Sequence, residues 1–440
     1  MMCRLSFRLM GAAFAAVLLL VPMAAAQTAV PTPASGSEPF RVTFNDAVAL
    51  AIKNNPSVEQ AAQDILRAQA LLDQATALTR PVIAAGVAAT FLNQGQSLNG
   101  SVTTAQNQVA GTIAVSAPLI APVQWALRVQ SADSKHVVEL AAVDVRKQVA
   151  VSSAQACLSI MALRRVLEAN ERAQDVARAH YEFARQRQEA GAGSRLNELR
   201  AQQSLSSDES LVELSRSELY RAQEALGILL ALDGPADVID EPTLEAPASI
   251  DAAIGAMASM RTDLRLLSSR EQALTRIVSD SWKEWLPSVS GLFQPQALQP
   301  ATLFQSQFSW RAQVVASIPV FDFGYRGARK AERQVNLDEI RIAEGAATRQ
   351  ARSEVRTAQE EAHAAERALA HARAAADQAH EVVEIVNVSF RVGASTNIEV
   401  IDAQRVARDA DTAVAVAEHG VRQARLSLLV ALGLFPQNRS

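Results

Sequence analysis

The chain has 440 residues and is 49% hydrophobic but only 5% aromatic, with Ala, Gln, Glu and Arg filling long tracts. This composition fits extended helix and coiled coil, not a compact aromatic core. The formal charge is −4 and no cluster of Lys or Arg interrupts it, which argues against nucleic acid as a partner.

Residues 1–26 read as a signal peptide. Arg4 and Arg8 form a positive start, Leu9 to Val21 is apolar, and Ala24-Ala25-Ala26 offers a small-residue cleavage site before Gln27. The loss of both arginines takes the formal charge from −4 to −6. The apolar run is too short to span a bilayer, and no other stretch approaches 18 apolar residues, so no transmembrane helix is expected. Cys3 leaves with this segment and does not sit at the cleavage point, so it is no lipid-attachment cysteine. Cys157, in an Ala/Leu-rich tract, reads as a small core residue without a disulfide partner.

Residues 27–41 form a Pro/Thr/Ser-rich linker. A first repeat then occupies 42–233. A helical pattern runs from Phe44 to about Leu78, followed by alternation over Val82–Leu92, a polar loop over Asn93–Asn107 and a second alternating run over Gln108–Leu119. From Pro122 a helical pattern continues without a breaker to Ala190. Within it Ala142, Val149, Ala156 and Leu163 keep a seven-residue spacing, the mark of a coiled-coil seam. A further helix spans Leu196 to Leu232.

After an inter-repeat linker at 234–248, the order returns in a second repeat, 249–433, with a C-terminal tail at 434–440. Ile250-Asp-Ala-Ala-Ile aligns with Phe44-Asn-Asp-Ala-Val, and Pro287 with Pro81. A strand begins at Val289, Gly291 and Phe293. A second alternates from Phe308 to Val320, with Arg311 and Gln313 on its polar face. A long helix from about Tyr325 to Val392 and a last one from Ile398 to Leu432 complete the repeat. The two segments Ala190–Gln202 and Val392–Gln404 match without a gap, Gly191 with Gly393 and Ser194 with Thr396. A Gly able to take positive φ, followed by an N-cap residue, is the sequence of a tight helix-turn-helix tip.

At ~1.5 Å per residue the long helices reach ~100 Å, and two short ones end to end match one long one. Each half is thus a rod beside two stacked half-rods, with a strand hairpin at one end. The strands have the length and alternation of tilted membrane strands, apolar outward and polar inward, which places Arg311 and Gln313 in a lumen. Phe91, Phe304 and Phe308 fall at one end, and Trp125, Trp282, Trp285, Phe321 and Phe323 at the other, as two interfacial girdles. Four strands per chain leave open edges, which lipid does not allow. Two chains give a filled eight-stranded barrel, and three give twelve strands around a channel. The expected fold is mainly α with a small β part: an α-helical barrel joined to a membrane β-barrel in a homotrimer.

No Walker A loop, HExxH, GxSxG or CxxC occurs, so no enzyme activity, cofactor or metal site is expected. The six histidines, His136, His180, His363, His371, His380 and His419, read as solvated or lumen-facing.

The second tip, Val392-Gly393 with Ile398-Glu399-Val400-Ile401-Asp402-Ala403, resembles that of the TolC-like outer-membrane efflux proteins. So do Asn54-Asn55-Pro56, Leu286-Pro287 and Ile318-Pro319-Val320-Phe321-Asp322-Phe323-Gly324. The first half departs from this pattern at Leu119-Ile120-Ala121-Pro122. The resemblance covers about Val42 to Gly433. It implies a trimeric duct with a 12-stranded barrel in outer-membrane lipid and a tunnel through the periplasm, serving a periplasmic adaptor and an inner-membrane pump. It further implies adaptor docking at the turns of Gly191 and Gly393, and an aperture ringed by Glu399 and Asp402. Arg195, Arg200 and Arg391 are candidates for salt bridges that hold the tips shut. Thr396-Asn-Ile-Glu399 also has the spacing of a capping box, which would engage Glu399 locally. Type I protein secretion is an alternative duty for such a duct. A periplasmic coiled-coil adaptor or scaffold without a pore is the competing class, disfavoured because the only expected strands are the four in the hairpins.

Overall fold

The computed structural model describes residues 38–245 and 250–436. The expected signal peptide, most of the 27–41 linker and residues 437–440 lie outside them. The chain runs through β1 (Phe40–Val42), α1 (Phe44–Asn54), α2 (Pro56–Ala77), β2 (Val82–Phe91), β3 (Gln96–Leu98), β4 (Ser101–Thr104) and β5 (Asn107–Ile120). Next come α3 (Pro122–Glu189), α4 (Arg195–Leu229) and β6 (Ala236–Val238). The second half contains α5 (Ile250–Met260), α6 (Thr262–Ser279), a 3-10 segment (Asp280–Trp285), β7 (Ser288–Gln299), β8 (Phe308–Ser317), α7 (Tyr325–Arg391) and α8 (Asn397–Ala431).

The helix expected over 44–78 is two helices. Proline forces its predecessor out of the helical region, and Asn55 accordingly sits at φ −65°, ψ 130°. Its side chain then accepts from the Ser57 N–H and caps α2, with Pro56 at the first helical position. The second half breaks at Arg261 without a proline. There the guanidinium reaches Asp263 at 2.7 Å and Glu354 at 2.6 Å, fixing α6 against α7.

Helices α3 and α7, of 68 and 67 residues, are the two rods, each ~100 Å long. Helices α2 and α4 pack along α3, while α6 and α8 pack along α7. Contacts of α3 with α6 and α8 join the halves. The expected seam holds at Ala142 and Val149, which are buried, but Ala156 and Leu163 are only half-buried. An α-helix drifts ~20° per heptad from a strict seven-residue stripe. The core therefore moves round the rod to Ala150, Ala154, Cys157, Leu158 and Ile160, which meet Leu226, Leu230, Leu426 and Leu429. Cys157 is fully buried, as its sequence context predicts.

The main sheet is antiparallel with the order β2-β5-β7-β8. The described residues also hold strands beyond the four expected. Short β3 and β4 pair inside the loop between β2 and β5. Strands β1 and β6 pair in parallel, so both linkers contribute to structure. Ala236 and Val238 are fully buried there, and Arg164 of α3 ties the pair down through Asp237 and the Val238 carbonyl. Burial of this kind repays two three-residue strands that alternation alone could not reveal.

Candidate functional site

Register divides the main sheet into two faces. Val87, Gly111, Ala297 and Phe308 form one cross-strand row, and Ala85, Ile113, Pro295 and Trp310 the next. This face is apolar apart from Asn107 and Gln299 at its loop end, and it is open, with Val87 81% and Trp310 70% exposed. The opposite face carries Gln108, Thr112, Ser116, Gln294, Gln296, Ser309, Arg311 and Gln313. Here the Arg311 guanidinium donates to Gln294 Oε1 at 2.7 Å, and Gln296 Nε2 to Ser309 Oγ at 2.9 Å. The outer strands β2 and β8 each have one unpaired edge. Such an edge is a template for pairing with another chain.

The aromatic residues at the two ends of the sheet lie outside any core. Phe91, Phe304 and Phe308 are exposed at the loop end, and Trp125, Trp282, Trp285, Phe321 and Phe323 at the helix end. Phe323, at φ 51°, stacks edge-on against Phe321 at 4.6 Å. The Arg326 guanidinium lies 4.0 Å from the Trp285 ring centroid and anchors the junction. A sheet packed on the helices would have buried these rings.

At the far end the tips share one backbone design. Gly191 and Gly393 take φ of 73° and 82°. The Ala192 N–H bonds back to the Arg187 carbonyl, and the Ala394 N–H to that of Ser389, each at the six-residue closure of a Schellman cap. Ser194 and Thr396 then cap α4 and α8.

The candidate residues differ in their surroundings. Glu399 closes the capping box: it accepts from the Thr396 N–H at 2.8 Å and from the Ser395 hydroxyl. These bonds, the hydroxyl's first, hold its carboxyl below the ordinary range. Asp402 is exposed and meets Arg405 at 2.7 Å. Arg195 meets Glu198 of its own helix at 2.6 Å, and Glu198 is buried. Arg200 and Arg391 are exposed and form no ion pair among the described residues. No bridge from these three arginines to another helix of the same chain exists among the described residues.

One link between the halves is absent from the sequence reading. His180, on α3, is 8% exposed, so it is not solvated as expected. Its Nε2 lies 2.8 Å from Asn397 Oδ1, and Asn397 Nδ2 donates to the Asn197 carbonyl at 3.2 Å. The acceptor on Asn397 fixes the proton on Nε2. Burial pushes the imidazole pKa down, keeping it neutral. His419 is half-buried, with Nδ1 unpartnered among the described residues. Further along, Arg408 of α8 pairs with buried Asp208 of α4. No spacing marks these partners, which are 217 and 200 residues apart. Among the described residues no group of acids, histidines or cysteines has the arrangement of a metal site.

A model of the outer membrane efflux proteins matches residues 47–231 and 256–434. The chain belongs to the outer membrane efflux protein family. Among curated proteins none matches it. Solved structures share its fold. A membrane protein from Pseudomonas aeruginosa is 20% identical with a TM-score of 0.77, over 88% of this chain and 90% of its own. The CmeC outer membrane channel of Campylobacter jejuni is 17% identical at 0.77, over 89% and 85%. The open-state MtrE outer membrane channel of Neisseria gonorrhoeae is 15% identical at 0.75, over 89% and 88%. This efflux protein is therefore an outer-membrane protein, not an enzyme, with the fold of the outer membrane channels, and the pore-less adaptor class is set aside.

Proposed function

We propose that this efflux protein is the exit duct of a tripartite system, receiving substrate from an inner-membrane pump through a periplasmic adaptor. The observation that carries the assembly is the four-stranded sheet with an apolar open face and two unpaired edges. Three copies pair every edge and give 12 strands around an aqueous channel, with lipid on the apolar face. The polar face, with Arg311 and Gln313, then lines the lumen. The turns at Gly191 and Gly393 form the periplasmic end and the docking surface for the adaptor. Glu399 and Asp402 from three chains ring the aperture there, with Arg195, Arg200 and Arg391 placed to bridge between chains.

Extraction from outer-membrane fractions should need detergent, and light scattering should find three chains per particle. A detergent-free monomer of native helicity would overturn this reading.

A further inference from the structure

Charge is distributed very unevenly along this chain. No charged side chain stands between Arg80 and Arg128, a span that holds β2, β3, β4, β5 and their loops. Between Glu284 and Asp322, the span of β7 and β8, there is one: Arg311. Each chain thus sends its whole membrane sheet and outer loops through the bilayer with a single charge, positive and on the polar face. Among the described residues its only polar contact is the neutral Gln294 side chain, and no carboxylate offsets it.

Arg311 lies three residues inside the start of β8, or ~10 Å below the rim. The acids of the tips are ~100 Å away along α7, many times the ~8 Å over which salt screens a charge. The outer mouth therefore has an electrostatic character of its own.

We propose that three Arg311 guanidinium groups form an anion-selecting ring at the outer mouth, one that draws solutes bearing carboxylate, sulfonate or phosphate groups. This rests on the channel reading above. Rings of Arg or Lys select anions in pores because the fixed charge raises the local concentration of the opposite sign.

The test uses the full-length trimer in whole cells. A thiol placed by Gln313→Cys, on the same face and ~7 Å along the strand, reports the local potential. It is labelled from outside with a sulfonate-bearing and a trimethylammonium-bearing methanethiosulfonate, neither of which needs the periplasmic tip to be open. The parent chain is the blank, since Cys157 is fully buried and its thiol is pushed up to about 12 by burial. A unit charge at ~7 Å in water speeds the anionic reagent roughly threefold and slows the cationic one as much. Adding Arg311→Gln should therefore lower the anionic-to-cationic rate ratio about sevenfold, and Arg311→Glu should invert the preference. A reactive thiol with the same ratio in all three backgrounds overturns the ring alone. A thiol in assembled trimer that neither reagent reaches overturns the lumen placement and the ring together.

Discussion

The link from His180 through Asn397 to Asn197 makes a quantitative prediction, because its cost can be read from the burial of its members. Asn397→Ala removes both hydrogen bonds while leaving the first position of α8 compatible with helix. The His180 Nε2–H is then left buried without an acceptor, a loss of ~1–3 kcal/mol. Asn197 is half-exposed, so the loss of the bond to its carbonyl counts for only ~0.5–1 kcal/mol. Together the two amount to ~1.5–4 kcal/mol, which is roughly 13- to 900-fold in a local opening equilibrium. Hydrogen exchange of the amides at 180–200 and 390–402 should accelerate within that range, with the amides of the central core unchanged. Replacing both partners tests the cause. His180 already packs at 5.7 Å from the Phe390 ring, so His180→Phe with Asn397→Ala removes the unsatisfied donor and extends an aromatic cluster. The double variant should recover most of the protection. If the single variant exchanges like the parent, the bonds do not hold the tips together.

The lowered pKa of His180 ties the same link to pH: stability is complete above about 6.5 and declines as pH falls below that value, because the opened tip then binds the proton more readily. Exchange at the tips, corrected for intrinsic rates, should rise between pH 7.5 and 5.5 in the parent and not in the His180→Phe, Asn397→Ala chain. Gly227→Ala would place a Cβ 2.1 Å from the Gly234 carbonyl oxygen, so the α4 end must shift at a cost of ~1–3 kcal/mol; an unchanged thermal midpoint of the helical signal would contradict the packing. Gly393→Val meets no neighbour within 4 Å, so its cost is the left-handed backbone alone, ~1–2 kcal/mol. It should weaken adaptor cross-linking with the trimer intact, and full cross-linking would count against the tip as the docking surface.

What the sequence displays is what repeats locally. The strand faces, the rods and both tips were legible because alternation, unbroken helical pattern and Gly-to-cap spacing are each written within a dozen neighbouring residues. The break at Asn55-Pro56 was in view but lay inside an otherwise continuous apolar pattern, and proline's effect on its predecessor decides it. The β1–β6 pair was not legible, since three-residue strands nearly 200 positions apart leave no periodic trace. Nor was the burial of His180. Its surroundings come from Phe390 of α7 and Asn397 of α8, and only the packing of one half on the other makes its pocket.

The tips show how a duplicated backbone divides its chemistry. Both have the same Schellman turn and a hydroxyl cap, yet the third helical position is Asn197 in one and Glu399 in the other. Glu399 reaches back to close its box and stays exposed, as does Asp402. At the first tip the acid falls one residue later. Glu198 is turned into the helix interface, 6% exposed, and Arg195 covers it at 2.6 Å. In the trimer proposed above, the second tip would present exposed acids to a permeating ion, whereas the acid of the first is buried in structure. Two substitutions separate these duties. Glu198→Gln should loosen the first tip by about 1 kcal/mol, the modest scale of an ion pair with one exposed partner, and leave the ion selectivity of the channel in planar bilayers unchanged. Asp402→Ala should leave the tip as protected from exchange as before, because its bond to Arg405 is exposed, and should lower cation preference at the aperture. The reverse pattern, with selectivity following Glu198 and protection following Asp402, would place the aperture on the first tip.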